Sequence, residues 1–515
     1  MKVGVFMVSK FSSGAIVLLI SGIICKLLGA FFRLPLTNMI GIEGIGVFQL
    51  VMSLYSFALV LTSGGVANSL SKLISSARAN GRVEKISLYL KQALLISVGI
   101  GLGIGLIFLV FGRYIALFQQ ISSSLSYYLF ILLLPLGALL ATLRGFFQGY
   151  ENMLPTAISQ VIEQVFKFAF GLLFAYYFSK IGLAQGVFGA FLGVTISEVV
   201  SVLYLLIYYV AKNKDRKKEI YSKDFKRLVR KEFNHANFPL LLSASILPLV
   251  NAFEGLIIVP RLISAGFTSS VATELYGLQA GVVGAILHFP LIISFAVTTS
   301  LLPNLSYNIS KGNGGKLMIE KGLKILLYFL LPTTFGIVAI IKPILTVFYV
   351  NMTEALIGIA FNLMFYGAFS TIFTALMQYI IMLLQANGQF NYILVITVIG
   401  GAVKAVLSFT LSALSSINIY AVLIGNIAMS TIVCLLGLIK LKNLVQFSLN
   451  LGEVCLLLFG TLLMYLGVYT FVESSYYSPL VNVTIAVFLG MLIYFVITIS
   501  FFLKLFYKKK VKKRV

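Results

Sequence analysis

Residues 11–34 read FSSGAIVLLISGIICKLLGAFFRL, twenty-four positions in which only Lys26 and Arg33 carry charge. About 20 mostly apolar residues suffice for a helix to cross the ~30 Å hydrocarbon core of a bilayer, so this run is long enough to span. It continues past Leu28 with no A-x-A-type cleavage site, which makes it a first spanning helix and not a removable signal peptide. Further runs of the same kind lie near 45–70, 87–112, 124–146, 154–178, 184–210, 238–262, 273–303, 318–349, 355–385, 390–413, 417–440, 450–471 and 480–506. The fold class that follows is an all-α integral membrane protein of about fourteen transmembrane helices. Composition agrees: 60% of the 515 residues are hydrophobic and 10% charged, with a mean hydropathy of +1.03. Soluble domains keep roughly a quarter of their residues charged to cover the surface. No stretch between these runs is long enough to build a soluble core.

The formal net charge of +24 gathers in short segments. Lys72, Arg78, Arg82, Lys85 and Lys91 lie between the second and third runs, and ten lysines and arginines from Lys212 to Lys231 between the sixth and seventh. Lys311, Lys316, Lys321 and Lys324 follow the eighth run, Lys440 and Lys442 the twelfth, and Lys508 to Arg514 the last. Alternate connections are nearly bare, with Arg113, Lys180 and Lys342 the main exceptions. Lys and Arg accumulate in cytosolic loops, so an even helix count places both termini in the cytosol and the chain in the cytoplasmic membrane. These loops also meet anionic lipid of the inner leaflet, a simpler reading of the charge than nucleic acid. Cys25, Cys434 and Cys455 lie in apolar runs without a spacing motif and read as small buried hydrophobes. The chain has no Trp, so Tyr must supply the interfacial aromatic belt.

The basic segment organises the chain into an N-lobe (1–210, helices one to six), a basic cytosolic linker (211–236) and a C-lobe (237–442, helices seven to twelve). Residues 443–515 supply helices thirteen and fourteen and a basic cytosolic tail. The lobes resemble each other. A shift of 237 residues sets Gln148-Gly149-Tyr150-Glu151-Asn152 on Gln385-Ala386-Asn387-Gly388-Gln389 and Lys167 on Lys404. A shift near 230 sets Gly46-Val47-Phe48-Gln49 against Leu275-Tyr276-Gly277-Leu278-Gln279. Six helices per lobe is an even number, so the copies share orientation, in a pseudo-two-fold parallel repeat about an axis along the membrane normal. That arrangement is expected to build a central cavity between two rocking lobes.

An ionisable residue at bilayer depth is costly unless it faces protein, water or ligand. Lys26 and Arg33 lie seven apart on one face of helix one. Arg33 is close enough to the outer end to snorkel, whereas the deeper Lys26 is expected to line a cavity. Glu254 and Arg261 repeat the spacing on helix seven, as ligand contacts or as a buried ion pair. Gln160, Glu163, Gln164 and Lys167 form a stripe at i, i+3, i+4 and i+7 that must face the interior; Glu163 and Lys167 are also spaced to pair with each other. Lys404 has no carboxylate one turn away in sequence and so hints more strongly at an anionic substrate. Glu198, at mid-depth, is a proton or cation site or a structural partner. His288-Phe289-Pro290 marks a kink, and Gly64-Gly65 and Gly400-Gly401 mark close packing. There is no Walker A sequence, no His/Cys metal cluster and no large extracytosolic loop to carry catalytic groups. No catalytic residue, metal or cofactor is therefore expected. A carrier of this kind draws on a coupling ion (Na+ or H+), the membrane potential or downstream consumption of its substrate.

Several of these stretches resemble one family. Cys25-Lys26-Leu27-Leu28-Gly29 followed by Arg33-Leu34-Pro35 is similar to the opening of the MurJ/SpoVB-type polysaccharide and lipid II flippases, as is Gly44-Ile45-Gly46-Val47-Phe48-Gln49 to the start of their second helix. The most specific match is the segment from Arg144 to Gln164, RGFFQGYENMLPTAISQVIEQ. Val259-Pro260-Arg261-Leu262, Leu275-Tyr276-Gly277 and Thr299-Ser300-Leu301-Leu302-Pro303 add to it, and the SpoVB-like Gram-positive branch fits best. The resemblance implies a fourteen-helix fold of the multidrug/oligosaccharidyl-lipid/polysaccharide exporter superfamily. It also implies a cationic cavity for the headgroup of a polyprenyl-pyrophosphate-linked saccharide, and a groove at helices thirteen and fourteen for the lipid tail. Lys26, Arg33 and Arg261 match the family's basic positions. A further helix-eight arginine of Gram-negative MurJ is absent before Phe289-Pro290, where Ala285, Ile286, Leu287 and His288 stand.

The function expected is a transporter, not an enzyme: a flippase for lipid II or a related cell-wall or polysaccharide precursor, working by alternating access. Lys26, Arg33 and Arg261 would neutralise the pyrophosphate, with Lys167 and Lys404 as further contacts. Glu163, Glu198 and Glu254 are candidates for ion coupling or structural pairing. Cell-wall synthesis enzymes are candidate partners. The alternatives are a cation-coupled multidrug exporter of the same superfamily, which should carry a carboxylate in its first-helix cavity, and a non-transporting scaffold for wall or spore-coat assembly.

Overall fold

A computed structural model of the protein describes residues 2–121, 124–212, 221–311, 315–350, 352–442, 444, 450–475 and 477–507. Among them the regular structure is entirely helical. A first compact unit, Met1–Gly277, holds α1 (Lys2–Ser63), α2 (Val66–Ala79), α3 (Glu84–Phe118), α4 (Leu125–Tyr128), α5 (Phe130–Gly149), α6 (Leu154–Ser179), α7 (Leu183–Lys212), α8 (Lys223–Ser264) and α9 (Ser269–Tyr276). A π-helical turn at Gly277–Val283 follows. The second unit, Leu278–Val515, holds α10 (Gly284–Ser310), α11 (Lys316–Ala339), α12 (Ile341–Phe348), α13 (Glu354–Ala386), α14 (Phe390–Leu411), α15 (Tyr420–Lys442), α16 (Leu451–Ser474) and α17 (Pro479–Tyr507).

Thirteen helices among the described residues are long and apolar enough to cross a membrane, the first being a 64-residue stretch from Ile16 to Ala79. At 1.5 Å per residue that stretch is about three times the thickness of a hydrocarbon core. It breaks at Gly41, whose φ of 76° suits glycine and strains any other residue. Two spans therefore lie within this stretch, which accounts for the fourteen read from the sequence. The run 318–349 likewise divides. Pro343 has no N–H and its ring would meet the carbonyl of Ala339, and α11 ends at Ala339.

Of the linker expected over 211–236, residues 213–220 lie outside the described residues, as does the basic tail 508–515. The linker's second half is already helix. The Ser222 hydroxyl caps α8 by accepting from the Phe225 N–H at 3.2 Å, with Asp224 in the first turn. Near this end, Val229 and Phe233 join a buried cluster with Leu70 and Ile74 of α2, Ile86 and Leu90 of α3, and Phe146 of α5. Glu232 accepts from Lys85 of α3 at 2.8 Å and from the Tyr89 hydroxyl. The second unit has one cluster around α10, α11, α13, α14 and α15 and another around α11, α16 and α17. Two of the exceptions to the bare alternate connections have local compensation. Lys180 lies 4.3 Å from the Tyr176 ring centroid. Lys342 donates to Glu473 at 2.8 Å, and that hydrogen bond holds its pKa above the usual lysine value.

The two helix ends that the 237-residue shift aligns close in the same way. α5 ends on Glu151 in the left-handed region (φ 60°), with its N–H on the Gln148 carbonyl at 2.8 Å and the Asn152 N–H on the Phe147 carbonyl at 3.1 Å. α13 ends on Gly388 (φ 71°), with its N–H on the Gln385 carbonyl and the Gln389 N–H on the Leu384 carbonyl, both at 2.9 Å. These are the paired bonds of one helix-ending motif, which also closes α2 at Gly81, α3 at Gln120 and α8 at Gly266. Within the first unit, Gly46 of α1 abuts the Thr273 carbonyl and Gly277 reciprocally abuts the Ile42 carbonyl.

Candidate functional site

The polar stripe of α6 faces α1, as its spacing requires. The Ser21 hydroxyl donates to Gln160 Oε1 at 3.0 Å, and Gln164 Oε1 lies 3.8 Å from where a Cβ on Gly29 would sit. The Lys167 ammonium lies 5.5 Å from the centroid of the buried Phe32 ring, within cation–π range. Contacts advance in the same order along both chains, so α1 and α6 run parallel and the stripe is zipped along one seam.

Glu163 takes a partner that the site residues read from sequence do not include. Arg144 of α5 donates through Nη2 to Glu163 Oε2 at 2.8 Å and through Nε to the Ser159 hydroxyl at 2.9 Å. The pair is only partly accessible, with side chains 16% and 23% exposed. Gln164 Nε2 stands 3.5 Å from the other carboxylate oxygen. The i,i+4 spacing to Lys167 is thus accompanied by a cross-helix ion pair. The available signal was an arginine inside an otherwise apolar α5, nineteen residues upstream and one hairpin away.

Glu198 of α7 is 4% exposed and accepts from the Tyr55 hydroxyl of α1. Its Oε2 makes no hydrogen bond among the described residues. Glu163, Arg144 and Lys167 are its charged neighbours, and Arg33 and Cys25 interact electrostatically with Lys167. α1, α5, α6 and α7 therefore bring Arg33, Arg144, Glu163, Lys167 and Glu198 into one group, three basic side chains with two acidic ones. Arg33 also shares Tyr276 with the buried Glu254 of α8, while Arg261 is half-buried in the last turn of that helix. The Lys26 side chain is exposed.

In the second unit Lys404 is 4% exposed on α14, its stem packed at the α15 glycine Gly425. His288 lies exposed on α10 with Nδ1 3.2 Å from the Gly284 carbonyl, one turn back in the helix that contains Pro290. Gly65 meets the backbone of α8 at Asn237 and Leu241, and Gly400 meets Met429 and Val433 of α15, so both glycine pairs mark close packing. An apolar groove of about 500 Å³ runs between α11, α16 and α17, lined by Tyr328, Gly336, Met464, Val468, Gly490 and Tyr494 among others. Among the described residues no cluster of His, Cys, Asp or Glu is arranged to hold a metal ion.

The fold is shared with solved flippase and multidrug transporter structures. The structure aligns with the lipid II flippase MurJ in an inward closed conformation at a TM-score of 0.72 and 16% identity, covering 95% of this chain and 99% of that one. An inward-facing multidrug resistance MATE family transporter aligns at 0.65 with 13% identity, covering 82% and 94%. Residues 11–309 match the polysaccharide biosynthesis protein family, and the chain belongs to it. It is 26% identical over 459 residues to the stage V sporulation protein B of Bacillus subtilis, covering 87% of this chain and 86% of that protein. It is 25% identical over 475 residues to the lipid II flippase MurJ of the same organism, with 86% and 84% covered. The resemblance to MurJ/SpoVB-type proteins seen in the sequence motifs holds over most of the chain.

Proposed function

We propose that the protein is a flippase that carries a polyprenyl-pyrophosphate-linked saccharide, lipid II or a related wall or polysaccharide precursor, across the cytoplasmic membrane by alternating access. Both termini then lie in the cytosol, as the loop charges require. The observation that carries this reading is the group of three basic and two acidic side chains on α1, α5, α6 and α7. Unbalanced positive charge away from water is unfavourable, and a pyrophosphate headgroup supplies the missing negative charge. The apolar groove between α11, α16 and α17 suits the polyprenyl tail. Transport draws on an ion gradient or the membrane potential, with Glu198 the candidate coupling carboxylate.

Headgroup translocation in reconstituted liposomes tests the reading. Lys26→Ala and Arg33→Ala are each expected to lower the rate about tenfold, the scale of one lost charge-assisted contact. Wild-type rates in both variants would remove these residues from headgroup binding. Arg261→Ala, Lys167→Gln and Lys404→Gln extend the series.

A further inference from the structure

We infer that Arg144 is a positioning residue that keeps Glu163 from capturing Lys167, and so holds the Lys167 ammonium ready for an anionic headgroup. Glu163 and Lys167 are one turn apart on α6, the spacing at which a glutamate and a lysine pair. Arg144 competes from the neighbouring helix with better geometry. Its Nη2 lies 2.8 Å from Glu163 Oε2, and its Nε is anchored on Ser159 at 2.9 Å. The Thr156 hydroxyl on the Arg144 carbonyl at 3.4 Å ties the same two helices together. Lys167 meanwhile lies over the Phe32 ring of α1, a contact that holds a cation without neutralising it.

The internal repeat supplies an independent argument. Under the 237-residue shift that superimposes the two helix-ending motifs, Lys167 corresponds to Lys404, Glu163 to Gly400 and Arg144 to Ile381. The copy that lacks the carboxylate also lacks the arginine, yet keeps the lysine. An arginine present to bind the headgroup directly would have no reason to disappear together with the glutamate. One present to occupy that glutamate would.

The consequence rests on the flippase reading for its transport arm but not for its chemical arm. Without Arg144, the partly buried Glu163 has Lys167 as its nearest replacement cation, and the Lys167 charge is lost to the headgroup. Lys167 reactivity towards a membrane-permeant amine-acylating reagent, read by mass spectrometry on the full chain in lipid nanodiscs, reports the pairing directly. Arg144→Ala should lower both Lys167 acylation and lipid II flipping about tenfold, the size of a typical coupling between neighbouring charges. Arg144→Gln, which preserves more of the side-chain volume, should do the same if the alanine variant folds poorly. Glu163→Gln alone should leave Lys167 acylation near wild type, and Arg144→Ala with Glu163→Gln should restore that acylation. Unchanged Lys167 acylation in the Arg144 variants, or a double variant as weakly acylated as Arg144→Ala, overturns the inference. If the wild-type protein flips no lipid-linked saccharide, the functional reading fails, and the acylation series still decides for or against the positioning role.

Discussion

Adding one methyl group at Gly46, at Gly277, or at both tests whether the reciprocal contact between α1 and the segment from α9 into the π-helical turn is as rigid as its geometry implies. A Cβ on Gly46 would lie 2.2 Å from the Thr273 carbonyl oxygen, and one on Gly277 would lie 2.1 Å from that of Ile42. Carbon and carbonyl oxygen settle near 3.3 Å or beyond, so each methyl must separate the helices by about 1 Å. The obstructing atoms are backbone, so no side chain can rotate out of the way. Overpacking of this kind costs about 1–3 kcal/mol, while alanine returns up to about 1 kcal/mol of helix propensity. Each single substitution should therefore destabilise by about 1–2 kcal/mol, a fall of a few degrees in apparent Tm. The double variant is the sharper measurement. One opening of the seam accommodates both methyl groups, so its loss should fall short of the sum by about 1 kcal/mol. Thermal unfolding of the four proteins in one detergent completes the cycle. A raised Tm in either single variant, or strictly additive losses, would show that the two contacts yield independently and refute the reciprocal-seam argument.

Tyr55→Phe leaves Glu198 with both carboxylate oxygens unpartnered, since Oε2 already lacks a hydrogen bond among the described residues. It should lower stability by about 1–3 kcal/mol, and by much less in a Glu198→Leu background where no buried carboxylate remains. Equal losses in the two backgrounds, by thermal unfolding, would separate Tyr55 from Glu198. Gly336→Trp tests the groove between α11, α16 and α17, because a Cβ there meets only Met464 at 3.6 Å and leaves room for the ring. Displacing one five-carbon prenyl unit forfeits about 3 kcal/mol of burial, on the order of a hundredfold in affinity. Full-length substrate should be flipped far more slowly while a short-prenyl analogue keeps its wild-type rate. Equal rates for the two would take the groove out of tail binding.

The spans were legible because a bilayer imposes a length, and runs such as 154–178 and 184–210 reappear almost residue for residue as α6 and α7. The break between the first two spans was less so. Gly41 is one glycine among several, and only its backbone angle distinguishes it. The inward face of α6 was legible because a stripe at i, i+3, i+4 and i+7 has one geometric reading. What faces it was not. Glu163 has a plausible partner four residues on, and its closest ionic partner comes from nineteen residues back. Tyr55 and Glu198 are 143 residues apart, a separation that periodicity does not reach. Local spacing identified which side chains turn inward, and only the packing of α1, α5, α6 and α7 assigned their partners.

Partial neutralisation of that group follows from what a carrier must do. Cations with fully matched carboxylates would have little affinity to offer a pyrophosphate, since the headgroup would have to displace an existing pair. Cations without any would be costly to hold in the membrane. Pairing Arg144 with Glu163 across two helices, while Lys167 rests on an aromatic ring, lies between these limits. One cation is spent on structure and the other is kept available. In the second unit, glycine and isoleucine stand where the first has glutamate and arginine, and a lysine is kept at the corresponding turn. By the same reasoning, Gly400→Glu should impair the protein by setting a carboxylate one helical turn from Lys404. The further change Ile381→Arg should relieve the impairment, in the same flipping assay and with the same acylation readout at Lys404. Gly400 also packs against Met429 and Val433, so Gly400→Gln, equal in bulk but uncharged, is the control. Equal impairment by glutamine and glutamate would assign the effect to packing and sink the charge argument for the second unit.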